Sequence, residues 1–553
     1  MSSSSSVKEA SLQELPEKTA KHEIEHKEDA TDEHGLPILA PLDTDEPEIS
    51  LKHIVRTHPI SKWTKTRFHI YLICFCLFLS STMNGFDGSL MTSINTLDEY
   101  QDYYDLSGSA DGTGLVFSIY SAGAICSVGF LWLSDSIGRV KTMIVGLIGI
   151  VIFTILMSVS ANHNLFIAGR FFVSFFSTIT LLAAPVYMVE MIPPDLGFLI
   201  GVLNTCYYLG SIIATWCMYG TSIHYKGTPN SFKIALWLQL LCPGIVLLFV
   251  WTFPESPRWL YAKGNKEKAR EIIVKYHANG DANHPVVQAE FQQIERSFAV
   301  NGFLKPKDYL DFRVFINTKA NRKKSFIVLC WSWFNQFSGN QVITYYITTL
   351  FLQMGIENAT TRLLLTGINN ILCLIFAVCG GLLRDKIPRR VILIYAHIGF
   401  IICFVGLAVS SKFFQQDSDN KQAAAAGIAF IYIFSTVFFA FAFTSIQPIY
   451  PSEVMSNDMR VRGMVLYFLI SNVASFVNLY SAPVAMENIK YWYYVFFVFW
   501  DLFQLLIVYF FFVETSALTL EEIEKMFETT NPVKESIRLS KIARSKKFED
   551  ALQ

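Results

Sequence analysis

The chain has 553 residues, of which 52% are hydrophobic, 15% aromatic and only 16% charged. Ordinary soluble domains carry about 25% charged residues, so this balance excludes a typical soluble protein and is typical of a polytopic membrane protein. The formal net charge of -1 says little by itself, because the charges are segregated along the chain. We expect no nucleic-acid partner.

The chain begins with a polar segment. Its first residues, "MSSSSSVKEA", lack a basic stretch followed by an apolar stretch, which a secretory signal would have. We predict that residues 1–67 form a cytoplasmic N-terminal tail that is disordered to about residue 60. The first apolar helix must then direct membrane insertion itself.

Twelve apolar runs follow, and each is long enough to cross a hydrocarbon layer, which takes roughly 20 residues of helix. They are 68–95, 112–134, 141–160, 164–188, 198–219, 232–253, 324–353, 361–383, 390–411, 426–450, 461–485 and 491–513, numbered spans one to twelve. The sequence therefore predicts an all-α membrane protein with twelve transmembrane helices. An even number of spans places both termini on the same side.

Basic residues flank the spans on one side, and that side is predicted to be cytoplasmic by the positive-inside rule. They are Lys62, Lys65, Arg67, Arg139, Lys141, Arg384, Lys386, Arg389, Arg390, Arg460 and Arg462. The glycosylation sequon at Asn358 follows span seven and falls on the external side in this orientation. All ten cysteines lie in or beside apolar stretches, so we expect neither a disulfide framework nor a metal site.

Three short motifs recur in order in the two halves of the chain. "LSDSIGRVKT" is echoed by "LRDKIPRRVI", "PVYMVEMIPPDLG" by "PIYPSEVMSNDMRVRG", and "FPESPRWL" by "FVETSALTLEEI". This duplication predicts two six-helix halves, residues 68–253 and 324–513. A cytoplasmic helical linker, 254–323, joins them, and a cytoplasmic tail, 514–553, follows. In this architecture the substrate site lies between the halves near mid-membrane.

These motifs, together with Q-x-x-G-N-x-x-x-x-Y-Y in span seven, resemble the sugar porter family of the major facilitator superfamily over most of residues 68–527. "GFDGSLM", "NQFSGN" and "EVMSNDMRVRGM" are most similar to fungal lactose permeases. The resemblance implies the major facilitator fold, residence in a fungal plasma membrane and sugar transport by alternating access. We expect a lipid-embedded monomer with a small-molecule sugar as its partner.

Span seven contains the polar segment "QFSGNQVITYY" at residues 336–346. An amide in hydrocarbon is costly unless it is partnered, so these side chains must face other helices or a wet cavity. Amides match sugar hydroxyls as donors and acceptors, and tyrosines add a flat apolar face; the alternative is that the amides hold helices together. The predicted substrate-binding residues are Gln336, Gln341, Asn335, Asn340, Tyr345 and Tyr346, with Asn204, Asn370 or its neighbour Asn369, Gln447, Asn472 and Asn478 as further candidates.

Two charged residues lie inside spans, where charges are rare and usually paired. Asp87 lies in span one and Arg170 in span four, and the resemblance pairs these two positions. Protonation of Asp87 would cancel its attraction to Arg170 and let the first half rearrange, which predicts proton coupling. A permanent structural ion pair is the alternative.

Charged residues beside the cytoplasmic ends of the spans resemble a latch that holds such carriers open to the outside. The predicted gate residues are Asp135, Arg139, Glu190, Asp385, Arg389, Arg390, Glu453 and Arg460. The family pattern has an arginine shortly after Glu190, whereas "MIPPDLGFLIGVL" contains no base. We expect Glu190 to pair with Arg139 or with the other half.

The leading interpretation is a proton-coupled transporter of a disaccharide, of the lactose or cellobiose type, or of a hexose. A sugar uniporter is the alternative, and a transporter-like sugar sensor is a further one. The tail after span twelve is short and basic, and we expect a solvated or membrane-facing segment there. No phosphate-binding loop, metal cluster or nucleophile elbow is present in the sequence, so we expect no enzyme activity and no cofactor other than a transported proton.

Overall fold

The structure is a computed structural model that describes residues 54, 57–58, 60–61, 63–106, 110–130, 132–301, 312–383, 386–417, 419–444 and 446–552. Within these ranges every regular element is a helix. The predicted all-α fold class is therefore confirmed. The predicted N-terminal tail, residues 1–67, lies mostly outside the described residues.

Ten described helices are long and apolar enough to cross a membrane. They are Lys65–Ile94, Arg139–Val159, His163–Met191, Leu199–His224, Asn230–Thr252, Ala359–Leu383, Arg389–Gln416, Lys421–Phe443, Met459–Asn488 and Trp492–Phe511, which correspond to spans one, three to six and eight to twelve. Several begin at a side-chain cap: the hydroxyl of Thr64, for example, accepts the backbone N–H of Arg67 at 3.2 Å.

Spans two and seven complete the predicted twelve. Span two is the shorter helix Ala110–Ser127, which ends in a tight turn at Phe130. Span seven is broken into Lys319–Phe334, Asn340–Tyr345 and Ile347–Gln353, so no single helix of it is long enough to cross.

Gly339 makes the break in span seven. Its φ of 75° lies in the left-handed region, which side-chain-bearing residues rarely adopt. A Cβ there would also overlap the ring of Phe404 in span nine. Glycine is therefore required both by the backbone conformation and by the close packing.

The sequence repeat corresponds to a repeated cap at the start of spans three and nine. In the first half, the Glu255 carboxylate accepts the backbone N–H groups of Arg139 and Val140 at 2.9 and 3.3 Å. The hydroxyl of Tyr187 donates to the Pro254 carbonyl at 2.7 Å. A carboxylate at a helix N-terminus satisfies free N–H groups and complements the helix dipole.

The second half repeats this arrangement with different residues. Glu514 accepts the backbone N–H groups of Arg389 and Arg390 at 2.8 and 3.0 Å, and Tyr450 donates to the Val513 carbonyl at 3.0 Å. The echoed motifs therefore form the same helix cap in each half, as expected of a duplication.

The linker carries the helices Pro257–Ala262, Lys266–His277 and Pro285–Asn301, and the side of the protein where they lie is called the linker face below. The buried His277 contacts Glu290 at 2.5 Å and the carbonyl of Met191, at the end of span four, at 3.0 Å. Burial disfavours the charge on His277, but the Glu290 carboxylate outweighs this effect and raises the pKa of His277. This pair fastens the linker to the first half.

The C-terminal segment forms two further helices, Leu520–Glu528 and Pro532–Leu552. The hydroxyl of Ser536, which is buried, accepts the backbone N–H of Glu514, and Arg544 donates to the Lys386 carbonyl at 3.1 Å. The expectation of a merely solvated or membrane-facing tail is therefore wrong. The tail docks against the second half because Ile523, Met526 and Phe527 are buried in the same hydrophobic core as span seven.

Candidate functional site

A cavity of about 1420 Å³ lies between the two halves. Away from the linker its wall includes Asn84 and Tyr207 from the first half and Gln336, Gln341 and Asn370 from the second. Amide and hydroxyl groups from both halves therefore face one space, as expected for a polar ligand held between them.

The cavity extends to the linker face. Its wall there includes Trp132, Asp135 and Arg139 beside the end of span two, and Arg258 and Lys263 from the linker. Lys263 is exposed to solvent, so this end of the cavity reaches the surface.

The opposite end is closed by aromatic side chains. The ring of Phe117 in span two packs edge-on against Tyr346 of span seven at 4.9 Å and against Tyr345 at 5.8 Å. Tyr346 is 1% exposed, and its hydroxyl donates to the Leu479 carbonyl at 2.7 Å. Tyr346 therefore belongs to the closure, whereas Tyr345 also lines the cavity.

The break in span seven frees backbone carbonyls from helical hydrogen bonding, and side-chain amides cap them. The amides of Asn340 and Gln447 donate to the Asn335 carbonyl at 3.1 and 3.3 Å. The amide of Asn478 in span eleven donates to the Gln336 carbonyl at 3.1 Å. A buried carbonyl without a partner would be costly, so these amides stabilise the break.

Gln504 of span twelve also caps a carbonyl in the break, because its amide donates to the Phe337 carbonyl at 3.2 Å. The sequence reasoning missed Gln504, although a lone amide in an apolar run was a visible signal. The side chain of Asn335 is fully buried and donates to the Ser471 hydroxyl at 3.1 Å. Asn335, Asn478 and Gln504 are therefore turned away from the cavity and support its wall.

Gln336, Asn340 and Gln341 are the span-seven amides that line the cavity. The Gln341 amide donates to the side-chain oxygen of Gln336, and the Gln341 oxygen is buried without a hydrogen-bond partner among the described residues. A ligand hydroxyl fits this arrangement, since it can donate to that oxygen and accept from an amide N–H.

The remaining amide candidates divide between the cavity and the protein interior. Asn204 lies in span five, at the turn between the helices Phe198–Leu203 and Cys206–His224, and lines the cavity. Asn370 also lines the cavity and donates to the Thr215 hydroxyl at 2.9 Å, which joins spans eight and five across the halves. Asn369 lines the cavity as well and accepts from Ser435, whereas Asn472 donates to the Phe468 carbonyl within its own helix.

Asp87 and Arg170 lie together inside the first half, at 3.2 Å, and both are buried. The amide of Gln239 in span six donates to the same Asp87 oxygen at 2.8 Å, and the second oxygen has no partner among the described residues. Arg170 also donates to the Val116 carbonyl at 2.9 Å and lies over the ring of Tyr120. The sequence reasoning missed Gln239, which makes this a three-residue cluster.

The gate charges of the first half bind one another. Arg139 contacts Glu190 at 3.0 Å and Asp135 at 2.5 Å. Glu190 thus pairs with Arg139, one of the two partners expected for it. In the segment after Glu190, Asp195 is bound by Arg67 from the start of span one, at 3.1 Å.

The gate charges of the second half also have partners within that half. Arg389 contacts Glu453 at 3.4 Å. Arg390 and Arg460 donate to the Tyr509 and Ser452 carbonyls at 2.6 and 3.1 Å. Asp385 lies outside the described residues.

Asn358 is exposed, and its side chain accepts the backbone N–H of Thr360 at 2.9 Å at the start of span eight. Glycosylation of Asn358 stays a prediction.

Known proteins share this sequence pattern and fold. The family model described as "Sugar (and other) transporter" matches residues 73–527. The High-affinity glucose transporter of Kluyveromyces lactis is 28% identical over 487 residues, which cover 84% of this chain and 86% of that protein. The Quinate permease of Neurospora terricola is 24% identical, and the match covers 83% of this chain and 89% of that protein.

Among solved structures, the inward-open conformation of the xylose transporter XylE from E. coli superposes with a TM-score of 0.66 at 19% sequence identity. The match covers 83% of this chain and 100% of that chain. At this identity the likeness establishes a shared fold.

Proposed function

Because the chain belongs to the sugar transporter family of the major facilitator superfamily and is a multi-pass membrane transporter, we propose that it takes up a neutral sugar together with protons. The sugar is a disaccharide or a hexose, and the transporter works in the fungal plasma membrane. The observation that carries the proposal is a cavity lined by amides of both halves, which reaches the surface at the linker face and is covered by aromatic side chains at the opposite end. Such a site serves transport by alternating access.

The charges around the cavity favour a neutral substrate over an acid. Among the described residues of its wall, the charged ones lie at the linker-face ends of spans or in the linker; they are Asp135, Arg139, Glu190, Arg258, Lys263 and Arg462. A bound carboxylate in mid-membrane would need a cation there. The glucose and xylose transporters among the relatives, rather than the quinate permease, therefore guide the proposal.

The dimensions of the cavity leave room for two sugar rings. Sites for small molecules are typically about 300–1,000 Å³, and this cavity is larger because it includes the passage to the linker face. Gln447 and Pro448 of span ten form part of its wall without an aromatic plate at those positions. The cavity is complete within one chain, which supports a functional monomer.

The linker face is assigned to the cytoplasm, because basic residues collect there. The described conformation is then open to the cytoplasm. In this state the gate arginines bind partners of their own half, and a switch to the outward-open state would exchange such partners for ones across the halves.

Asp87 is the proposed proton acceptor. It is the buried carboxylate of the first half that contacts a single arginine, and its second oxygen has no partner among the described residues. Protonation would weaken the attraction to Arg170 and change how spans one and four pack.

The test is uptake of labelled lactose, cellobiose, glucose, galactose and xylose by cells that lack their own carriers, with and without a pH gradient. Uphill accumulation of one sugar that collapses with the gradient supports symport. Equilibration without accumulation would establish a uniporter, and sugar binding without uptake would establish a sensor. Failure to bind any sugar would refute the proposal.

A further inference from the structure

Span twelve contains a carboxyl group that the proposed cycle does not yet use. Asp501 is 0% exposed, and neither of its side-chain oxygens has a hydrogen-bond partner among the described residues. Asp87 differs, because its carboxylate binds both Arg170 and Gln239. An ionised carboxylate that is buried in a membrane protein without a cation or a donor is strongly disfavoured. Asp501 is therefore expected to carry a proton in this conformation.

The neighbouring side chains support this protonation state. Gln504 lies one turn from Asp501 on the same helix face, and its side-chain oxygen has no partner among the described residues. His397 of span nine lies beside Gln504. Its Nδ1 contacts the Leu393 carbonyl at 2.7 Å, which leaves Nε2 for Gln504. A protonated Asp501 would add an O–H donor one helical turn from Gln504.

The indole N–H of Trp500 also has no hydrogen-bond partner among the described residues. Adjacent residues of a helix do not face the same side, and the Trp500 ring packs against Phe337. This donor therefore does not replace the proton of Asp501.

The cluster touches the moving part of the sugar site. Gln504 caps the Phe337 carbonyl at 3.2 Å, and Phe337 follows Gln336, whose side chain lines the cavity. A change in the break of span seven must move this cap and alter the surroundings of Asp501. Sugar binding at Gln336 and proton binding at Asp501 are thereby linked, and linkage between two ligands is reciprocal.

Other titratable groups face span twelve from the helices packed on it. Span nine presents Arg389, His397 and Cys403 on its buried face, and the first helix of span seven presents Lys324 and Cys330. Arg389 is engaged with Glu453, and Lys324 lies near Glu524 at the linker face. Tyr493, Tyr494 and Tyr509 are on span twelve itself, and Arg390 of span nine lies over the Tyr509 ring and donates to its carbonyl. His397 is thus the group from this set that belongs to the Asp501 cluster, through Gln504.

We propose that Asp501 is a second proton-binding site, located in the C-terminal half, whose proton is bound together with the sugar. The proposal rests on the proposed sugar site. Protonated Asp501 keeps the Gln504 cap and the break of span seven in the geometry that binds sugar. Loss of the proton as pH rises then weakens sugar binding, by up to about tenfold per pH unit for one linked proton.

The test measures the dissociation constant of the transported sugar on the purified full chain at several pH values. Asp501→Asn keeps the shape of the protonated acid and offers a donor in its place. The variant should therefore bind sugar at low pH like the wild type, and its dissociation constant should rise much less as the pH is raised. Asp419→Asn, at an exposed position, is the matched control and should retain the wild-type profile. The comparison is repeated in an Asp87→Asn background, which removes any contribution of Asp87.

An infrared spectrum supplies a readout that needs no sugar. The carbonyl stretch of a protonated carboxylic acid should be present at neutral pH in the wild type and in Asp419→Asn and should be reduced in Asp501→Asn. An unchanged band would overturn the proposal, and so would a pH dependence of binding that Asp501→Asn leaves unaltered in both backgrounds. If the chain binds no sugar, the proposed function fails, while the infrared comparison still decides whether Asp501 is protonated.

Discussion

Replacing Asn478 by leucine should weaken sugar binding, although Asn478 does not line the cavity. Its amide donates to the Gln336 carbonyl at 3.1 Å, and its oxygen accepts from Tyr493 at 3.4 Å. Asn478→Leu keeps most of the volume and leaves a buried carbonyl in the break without its partner. The side chain of Gln336 faces the sugar, so a shift of this residue's backbone misplaces a binding group.

The size of the effect follows from the hydrogen bond that is lost. Side-chain hydrogen bonds inside one membrane protein average about 0.6 kcal/mol, whereas an unsatisfied buried group costs about 1–3 kcal/mol. If this free energy acts on the binding-competent conformation, affinity falls by about threefold to 150-fold. A smaller loss of affinity implies that part of the cost appears as lower thermal stability.

Asn472→Leu is the matched control on the same helix. The Asn472 amide donates to the Phe468 carbonyl one turn earlier, at 2.8 Å, and that carbonyl belongs to a continuous helix. Half-saturation of uptake and the thermal midpoint of purified protein should therefore change little for Asn472→Leu. Equal behaviour of the two variants in both assays would refute the role assigned to the cap.

Three further outcomes are expected. Gln341→Ala and Gln336→Ala should each raise half-saturation by about two- to tenfold at unchanged surface expression, since one hydrogen bond to a neutral ligand contributes about 0.5–1.5 kcal/mol. Asp87→Asn should abolish uphill accumulation, measured with labelled sugar, and keep exchange between equal pools. The raised pKa of His277 predicts stabilisation below about pH 6.5 that is lost as pH rises through the folded pKa; Glu290→Gln should flatten this decline of the thermal midpoint.

Much of the fold was predictable because hydrophobicity along the chain determines it. Twelve apolar runs and three echoed motifs were enough to predict the spans and the duplication. The break in span seven was harder to locate, since Gly339 alone does not show whether a helix stops there. Its left-handed φ and its contact with Phe404 depend on span nine, which is far away in the sequence.

The types of residue in the site were predictable from the sequence. The directions in which their side chains point were less predictable. An amide in a span must be partnered, and the sequence shows neither the partner nor the register. Gln336 and Asn335 are adjacent, yet Gln336 lines the cavity and Asn335 binds Ser471. In the same way, the base that pairs with Asp195 comes from Arg67, at the start of a different span. Local motifs carry no information about such long-range pairs.

The two halves contribute different groups to the region around the cavity, and Tyr345 brings these groups close together. The first half holds the Asp87 ion pair, and the second holds the neutral amides of the broken span. A Cβ at Gly88 would lie 3.0 Å from the Tyr207 hydroxyl and 3.5 Å from the Tyr345 hydroxyl. These hydroxyls therefore reach the backbone next to Asp87. Because Tyr345 belongs to the broken span, rearrangement of the break changes the surroundings of Asp87 directly, without a long chain of intermediates.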